Sequence, residues 1–179
     1  SSCMKFSEDI LKSLNLDLQE ERVPVNVMKV SELLAFLKMC AERIVRKSDQ
    51  YYKEDDVEIR MDCMDIVTAK LNDFTQAFKD LVIFMRKQEG SYRGGESLRY
   101  CINSYDTFGF NQSEQERTFL KELLLRNEIT HDYFNRELHQ QKLVWIMQNC
   151  ANGAVDLYEN LYQYCQKNNL MEKYIEKTK

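Results

Sequence analysis

The sequence predicts an all-α protein that folds as an up-and-down helical bundle built on two long helices. Two observations favour this class. The chain of 179 residues contains only one proline and five glycines, so few positions can interrupt a long helix. Apolar residues also recur at steps of three and four over two long stretches, which is the spacing of one helix face, and no alternation typical of strands competes.

The first long helix carries the clearest apolar stripe. Its members are Met64, Val67, Leu71, Phe74, Phe78, Leu81 and Met85. We expect this helix to begin near Asp55, whose carboxylate can cap the amide end together with Glu58, and to end at Gly90. Its length would then be roughly 50 Å.

The second long helix is predicted in the last third of the chain. Its stripe consists of Leu143, Met147, Cys150, Ala154, Leu157, Leu161 and Tyr164. Small residues in the middle of this stripe would let another helix approach closely.

Three shorter helices complete the predicted bundle. The first is expected at about 31–52, with Ser31 as its cap. The second is expected at about 95–106 and is followed by a turn around Phe108, Gly109 and Phe110. The third should begin at about 113, because Ser113 and Glu116 have capping-box spacing. We divide the chain into residues 1–30, an N-terminal arm with a short helix near 7–14, and residues 31–179, the helical bundle domain.

The charge balance gives the chain no global positive field. The chain has 25 Lys and Arg against 29 Asp and Glu, a formal net charge of −4. Contacts with a polyanion must therefore be local, because no global positive field is present to hold it. No apolar run approaches the roughly 20 residues needed to cross a bilayer, and no signal peptide is recognisable. We expect no membrane association and a cytoplasmic location.

The cysteines predict neither disulfides nor a metal site. Six of them are scattered along the chain without a C-x-x-C pair, and several fall on the apolar stripes. They are expected to be reduced core thiols, and the two histidines do not complete a zinc pattern with them. No cofactor and no metal are expected.

One short stretch, Arg126 to Tyr133, holds the residues that could carry chemistry. Arg126 supplies a permanent planar cation that can grip phosphate oxygens, and His131 can take or give a proton near neutral pH. Because an RNA strand carries its own nucleophile in the 2′-hydroxyl group, these two side chains could cleave a phosphodiester without a metal.

The spacing of this pair sets a condition on the site. Five residues place Arg126 and His131 roughly 140° apart on an unbroken helix, whereas Asn127 and His131 are neighbours at i, i+4. Arg126 and His131 therefore share one site only if the helix loosens or if a second chain contributes.

At these residues the sequence resembles the higher eukaryotes and prokaryotes nucleotide-binding family, HEPN. Its signature is Arg, then Asn, Asp or His, a few variable residues and His, which Arg126, Asn127 and His131 match. Tyr133, two residues after the His, is similar to the toxin branch of the HEPN and minimal-nucleotidyltransferase toxin–antitoxin pairs. The resemblance covers roughly residues 60 to 165 and leaves the first 50 or so unexplained.

The resemblance implies a helical bundle that forms a homodimer with the two motifs facing each other. It implies a metal-independent ribonuclease at that interface, with Arg126, Asn127 and His131 as catalytic residues and RNA as the substrate. It also implies that a partner nucleotidyltransferase, acting as antitoxin, silences the protein by adding AMP to Tyr133.

Three functional hypotheses stay open on the sequence. The first is a HEPN-type endoribonuclease in toxin–antitoxin or antiviral defence. The second is a non-catalytic helical partner of a nucleotidyltransferase that binds a nucleotide or substrate, and the third is a structural helical adaptor. Outside the motif, we interpret His139 as an ordinary surface residue or a helix start, and Trp145 as a core or interface anchor.

Overall fold

The structure, a computed structural model, describes residues 27–129 and 136–176. Within these ranges the chain forms six helices and one small sheet, so the predicted all-α bundle is confirmed. In chain order the elements are β1 (Val27–Lys29), α1 (Val30–Lys53), α2 (Val57–Glu89), α3 (Leu98–Thr107), α4 (Glu114–Ile129), α5 (Arg136–Asn149), α6 (Gly153–Lys167) and β2 (Tyr174–Glu176). The predicted helix near 7–14 lies outside the described residues.

Helix α2 confirms the first long helix almost to the residue. It has 33 residues and ends at Gly90, as predicted, with Gly90 in the left-handed conformation at φ 77°. A glycine adopts this conformation without a steric penalty, which is why helices so often end there. The N-cap is Asp56 and not Asp55, because the Asp56 carboxylate accepts the backbone N–H groups of Glu58 and Ile59.

The second predicted long helix is wrong in one respect, since the stripe is divided between α5 and α6. The break falls at Cys150–Asn152, just before Gly153, where Asn and Gly have low helix propensity. Gly153 packs directly on α4. A Cβ atom at this position would collide with the carbonyl oxygen of Gln115 and would lie 2.6 Å from Phe119 Cβ. The predicted close approach at the small residues is thus confirmed.

Ser31 is not the cap of α1. The helix begins at Val30, and its N-cap residue, Lys29, makes no side-chain capping bond. Neighbouring carbonyl groups take over that role, because the Val30 and Ser31 amides donate to the carbonyl oxygens of Lys173 and Met171. These bonds follow from the antiparallel pairing of β1 with β2, a sheet that the sequence did not predict.

The bundle core consists of aromatic and aliphatic side chains from all six helices. Phe74 of α2 packs edge-on against Phe119 of α4, and Phe78 of α2 packs in the same way against Tyr105 of α3, both at 5.6 Å between ring centres. The turn after α3 contains Gly109 at φ 74°, as predicted.

The described cysteines are buried free thiols, as predicted. They are Cys40, Cys63, Cys101, Cys150 and Cys165, whereas Cys3 lies outside the described residues. Burial raises the pKa of Cys40 and Cys101 to about 11 and that of Cys150 and Cys165 to about 12. A thiol with so high a pKa is a poor nucleophile at neutral pH, so these four residues serve as core packing. None of the described helices has the length and apolarity needed to span a membrane.

A buried carboxyl group, that of Glu116, ties α3, α4 and α6 together. Ser113 accepts the Glu116 backbone N–H, which is one half of the predicted capping box. The Glu116 side chain instead turns into the core, where it is fully buried and accepts from the Tyr105 hydroxyl at 2.6 Å and from Asn160 Nδ2 at 2.7 Å. Burial raises the pKa of Glu116 from 4.5 to about 7, although both hydrogen bonds oppose the shift.

This pKa predicts a stability that falls as pH rises. The folded protein holds the Glu116 proton more tightly than the unfolded chain, so the stabilisation is present below about pH 4.5 and is lost as pH rises to 7. Glu116→Gln mimics the protonated side chain, and the Tyr105 hydroxyl can turn to accept from its amide. Between pH 5 and 8, denaturant titrations should therefore show the wild type losing about 2 to 3 kcal/mol more stability than Glu116→Gln.

The exposed Glu114, two residues earlier on the same helix, supplies the matched control for this measurement. Glu114→Gln is expected to follow the pH dependence of the wild type. Parallel pH curves for the wild type and Glu116→Gln would contradict the prediction.

Candidate functional site

The motif predicted to carry chemistry begins in the last turn of α4. Arg126 points inward and is only 4% exposed, whereas the next residue, Asn127, is exposed to solvent. This difference follows from the helical repeat, because Arg126 continues the buried face of Phe119 and Leu123. His131 and Tyr133 lie outside the described residues.

The guanidinium group of Arg126 reaches across to α2. Its Nη1 donates a hydrogen bond to Oδ1 of Asn72 at 3.2 Å. Asn72 is itself on the exposed side of α2, so the bond links a buried cation to the edge of the protein surface. Burial lowers the pKa of Arg126, since removing a cation from water disfavours the charged form.

Helix α5 brings a histidine to this cation. His139 is half-buried, and its pKa is lowered first by burial and then by the positive charge of Arg126. Both effects favour the neutral imidazole, which can accept a proton on one ring nitrogen and donate one from the other. The sequence interpretation of His139 as an ordinary surface residue missed this proximity, although the residue does lie near the start of α5.

A partly buried ion pair links α5 to α4 next to the site. Lys142 Nζ contacts Glu122 Oε2 at 2.9 Å, and Glu122 is 7% exposed. Glu122 lies one turn before Arg126, and Lys142 lies about one turn after His139, as expected for antiparallel helices. The ion pair therefore helps to hold the helix that carries His139 against the helix that carries Arg126. An Arg99–Glu128 ion pair also joins α3 to the end of α4.

Asn72 and His139 are the two site residues that sequence reasoning missed. No local pattern connects either one with Arg126, because each reaches it only through the packing of α2 or α5 against α4. Only one sequence feature could have pointed to Asn72. It is a polar residue that lies on the same face of α2 as Met64 and Thr68, since the three are spaced four residues apart.

The arrangement provides a buried cation, an imidazole with a lowered pKa and two side-chain amides, those of Asn72 and Asn127, at the surface nearby. Such a set can bind an anion and move a proton. Among residues 27–129 and 136–176, no three His, Cys, Asp or Glu side chains gather in a way that could hold a metal ion. Comparison with known proteins returned no match to this chain, whether among family models, curated proteins or solved structures.

Proposed function

We propose that the protein is a metal-independent endoribonuclease of the HEPN type, acting as a toxin or an antiviral-defence effector. Arg126 holds the scissile phosphate and stabilises the charge on its oxygens, His131 moves the proton, and Asn127 orients the imidazole or the phosphate. The substrate is single-stranded RNA, because only an accessible strand can bring a 2′-hydroxyl into line with the adjacent phosphorus.

The reaction needs no group beyond the protein and the RNA. His131 takes the proton of the 2′-hydroxyl, the 2′-oxygen attacks the adjacent phosphorus, and the bond from phosphorus to the 5′-oxygen breaks. The departing 5′-oxygen takes a proton from water, and His131 gives the proton it holds to the hydroxide that remains. The products are a 2′,3′-cyclic phosphate on one fragment and a 5′-hydroxyl on the other, so atoms and charge balance.

One observation carries the proposal. The motif arginine is a dehydrated cation at the junction of α2, α4 and α5, with a half-buried imidazole, His139, close to it. A charge in a water-poor position interacts more strongly with an anion than the same charge in bulk water does. This is the environment that a phosphate-stabilising arginine needs.

The burial of Arg126 adds a condition to the mechanism. With 4% of its surface exposed, the guanidinium group must become more accessible before a phosphate oxygen can reach it. Asn72 is exposed, so water can replace the bond to Arg126 if the guanidinium group moves. RNA binding is therefore expected to be coupled to a local movement of the Arg126 side chain.

The proposal includes a homodimer and a nucleotidyltransferase partner. A dimer lets each site draw Arg126 and His131 from different chains, which removes the angular conflict on a single helix. Addition of AMP to the Tyr133 hydroxyl would place a bulky anion in a site built to receive phosphate, and it would close that site by volume and by repulsion.

The test is incubation of the purified protein with single-stranded RNA in excess EDTA. We expect cleavage that yields 2′,3′-cyclic phosphate ends. The same oligonucleotide with 2′-deoxyribose throughout should stay intact, because it lacks the nucleophile. Cleavage of the deoxy strand, or a complete loss of activity in EDTA, would contradict the mechanism.

A structural adaptor is the second candidate, favoured by the burial of Arg126 and its bond to Asn72. In that role Arg126 would only help pack α4 against α2. Cleavage would then be absent from the wild type, and a double substitution of Arg126 and His131 would leave partner binding unchanged. Calorimetric titration with nucleotides separates this role from the non-catalytic nucleotide-binding one.

A further inference from the structure

A second feature of the surface lies outside the Arg126–His139 site. On α2, Val57, Met61, Met64 and Thr68 recur at steps of four, three and four, so they form one stripe beside the buried face. Val57 is 68% exposed and Met61 is 59% exposed. Large apolar side chains with this exposure, gathered on one helix face, are typical of an interaction surface.

Helix α5 forms the other wall of this surface. Trp145, which was expected in the core or at an interface, is 41% exposed and is not a core residue. Between α2 and α5 lies a groove of about 360 Å³ whose lining includes Met64, Val144 and Trp145. Glu137 and glutamine amides of α5 also line it, so the groove combines an apolar floor with polar walls that carry one carboxylate. We call it the α2–α5 groove.

The outer rim of the groove is acidic. The segment 54–65 contains six carboxylates and a single basic residue, Arg60. Arg60 stacks on the Tyr51 ring and donates to the Tyr51 carbonyl oxygen, so its charge is directed toward α1. Glu58 and Asp65 are both exposed and lie three residues before and four residues after Met61, which places them along the edge of the stripe.

We propose that the α2–α5 groove binds a basic amphipathic helix of a partner protein. An amphipathic helix docks with its apolar side in such a groove, and lysines or arginines on its flank would meet the acidic rim. Methionine side chains suit this role because they adapt to the shape of the bound face. The rim excludes RNA as the occupant, since carboxylates repel phosphates. A second copy would set acidic rim against acidic rim.

The α2 stripe that borders the groove continues toward Arg126. One turn beyond Thr68, the stripe reaches Asn72, the partner of Arg126. A helix in the groove would therefore end beside the Arg126–His139 site and could cover it. The proposal does not rest on the ribonuclease, because a partner can occupy the groove whether or not the chain cleaves RNA.

Trp145 makes the test direct, because it is the only tryptophan of the chain and it lines the groove. The probe is a synthetic amphipathic peptide of leucine and lysine, about 18 residues long so that it can form a stable helix. The comparison peptide has glutamate in place of lysine. We expect the lysine peptide to move the Trp145 emission to shorter wavelength and to bind at least about tenfold more tightly than the glutamate peptide.

Matched variants locate the binding site. Met61→Glu should weaken the lysine peptide about tenfold, whereas Met39→Glu, at a methionine of α1 that is 38% exposed, should leave its affinity unchanged. Replacing Glu58 and Asp65 by Gln and Asn should reduce both the affinity and its dependence on salt.

Several results would overturn the proposal. They are a Trp145 emission that the lysine peptide leaves unchanged, equal affinities for the two peptides, and an equal loss of affinity for the lysine peptide in Met61→Glu and Met39→Glu. A shift of the emission that grows with protein concentration alone would assign the groove to a second copy. A larger shift with single-stranded RNA than with the lysine peptide would assign it to nucleic acid.

Discussion

Replacing His131 by alanine is expected to lower the rate of RNA cleavage by at least about a hundredfold. The imidazole is the only proton acceptor that the proposed reaction assigns to the 2′-hydroxyl, and positioned general bases contribute factors of about 10² to 10⁴. The measurement is the initial rate of cleavage in EDTA at saturating RNA, so that a change in RNA affinity does not enter. Wild-type rates in His131→Ala would remove this residue from the mechanism.

The other histidine of the chain sharpens this experiment, since the sequence contains only two. If His131 moves the proton, His139→Ala should lower the cleavage rate by less than about tenfold. The His139 imidazole would then affect the reaction only through its electrostatic interaction with Arg126. The opposite ranking, with the larger loss in His139→Ala, would transfer the proton-moving role to α5. The pH profile of the surviving activity identifies which imidazole titrates.

Arg126→Met should lower the cleavage rate by about two to three orders of magnitude and yet leave the protein folded. The variant removes the cation that stabilises the phosphate, and the loss of one such group costs about 10² to 10³ in rate. The free energy of unfolding should stay within about 1 kcal/mol of the wild type or rise, because methionine fills the space of a buried guanidinium without its desolvation cost. Denaturant titration and the cleavage assay on the same sample measure both quantities.

Arg117, an exposed arginine on the same helix, provides the matched control. Arg117→Met removes the same charge from α4 and should leave the cleavage rate close to that of the wild type. Activity retained in Arg126→Met would refute its role at the phosphate, and a loss of several kcal/mol in stability would identify Arg126 as a packing residue.

Local sequence signals predicted those elements whose ends are chemically marked. Gly90 ends α2 because a left-handed residue is needed there, and Ser113 caps α4 because its hydroxyl can accept the Glu116 amide. In both cases a single residue type and its spacing determine the geometry. The same reasoning located Arg126 on α4 and predicted its helix.

The predictions that failed depend on contacts between elements distant in sequence. The stripe of the second long helix is continuous in sequence, but the fold interrupts it where Gly153 meets α4. Ser31 had the right residue type for a cap, yet the first two amides of α1 donate to carbonyl groups of Lys173 and Met171, just before β2. The Asn72–Arg126 bond and the proximity of His139 arise in the same way, so periodicity along one helix could not reveal them.

The small sheet formed by β1 and β2 determines how the protein responds to a pulling force. Val27, the first residue of β1, pairs with Glu176, the last residue of β2, so the two ends of the described chain lie side by side. A force applied between Val27 and Glu176 would separate the three strand pairs one after another before the helices bear any load. The helices would thus stay folded under a force that only separates β1 from β2.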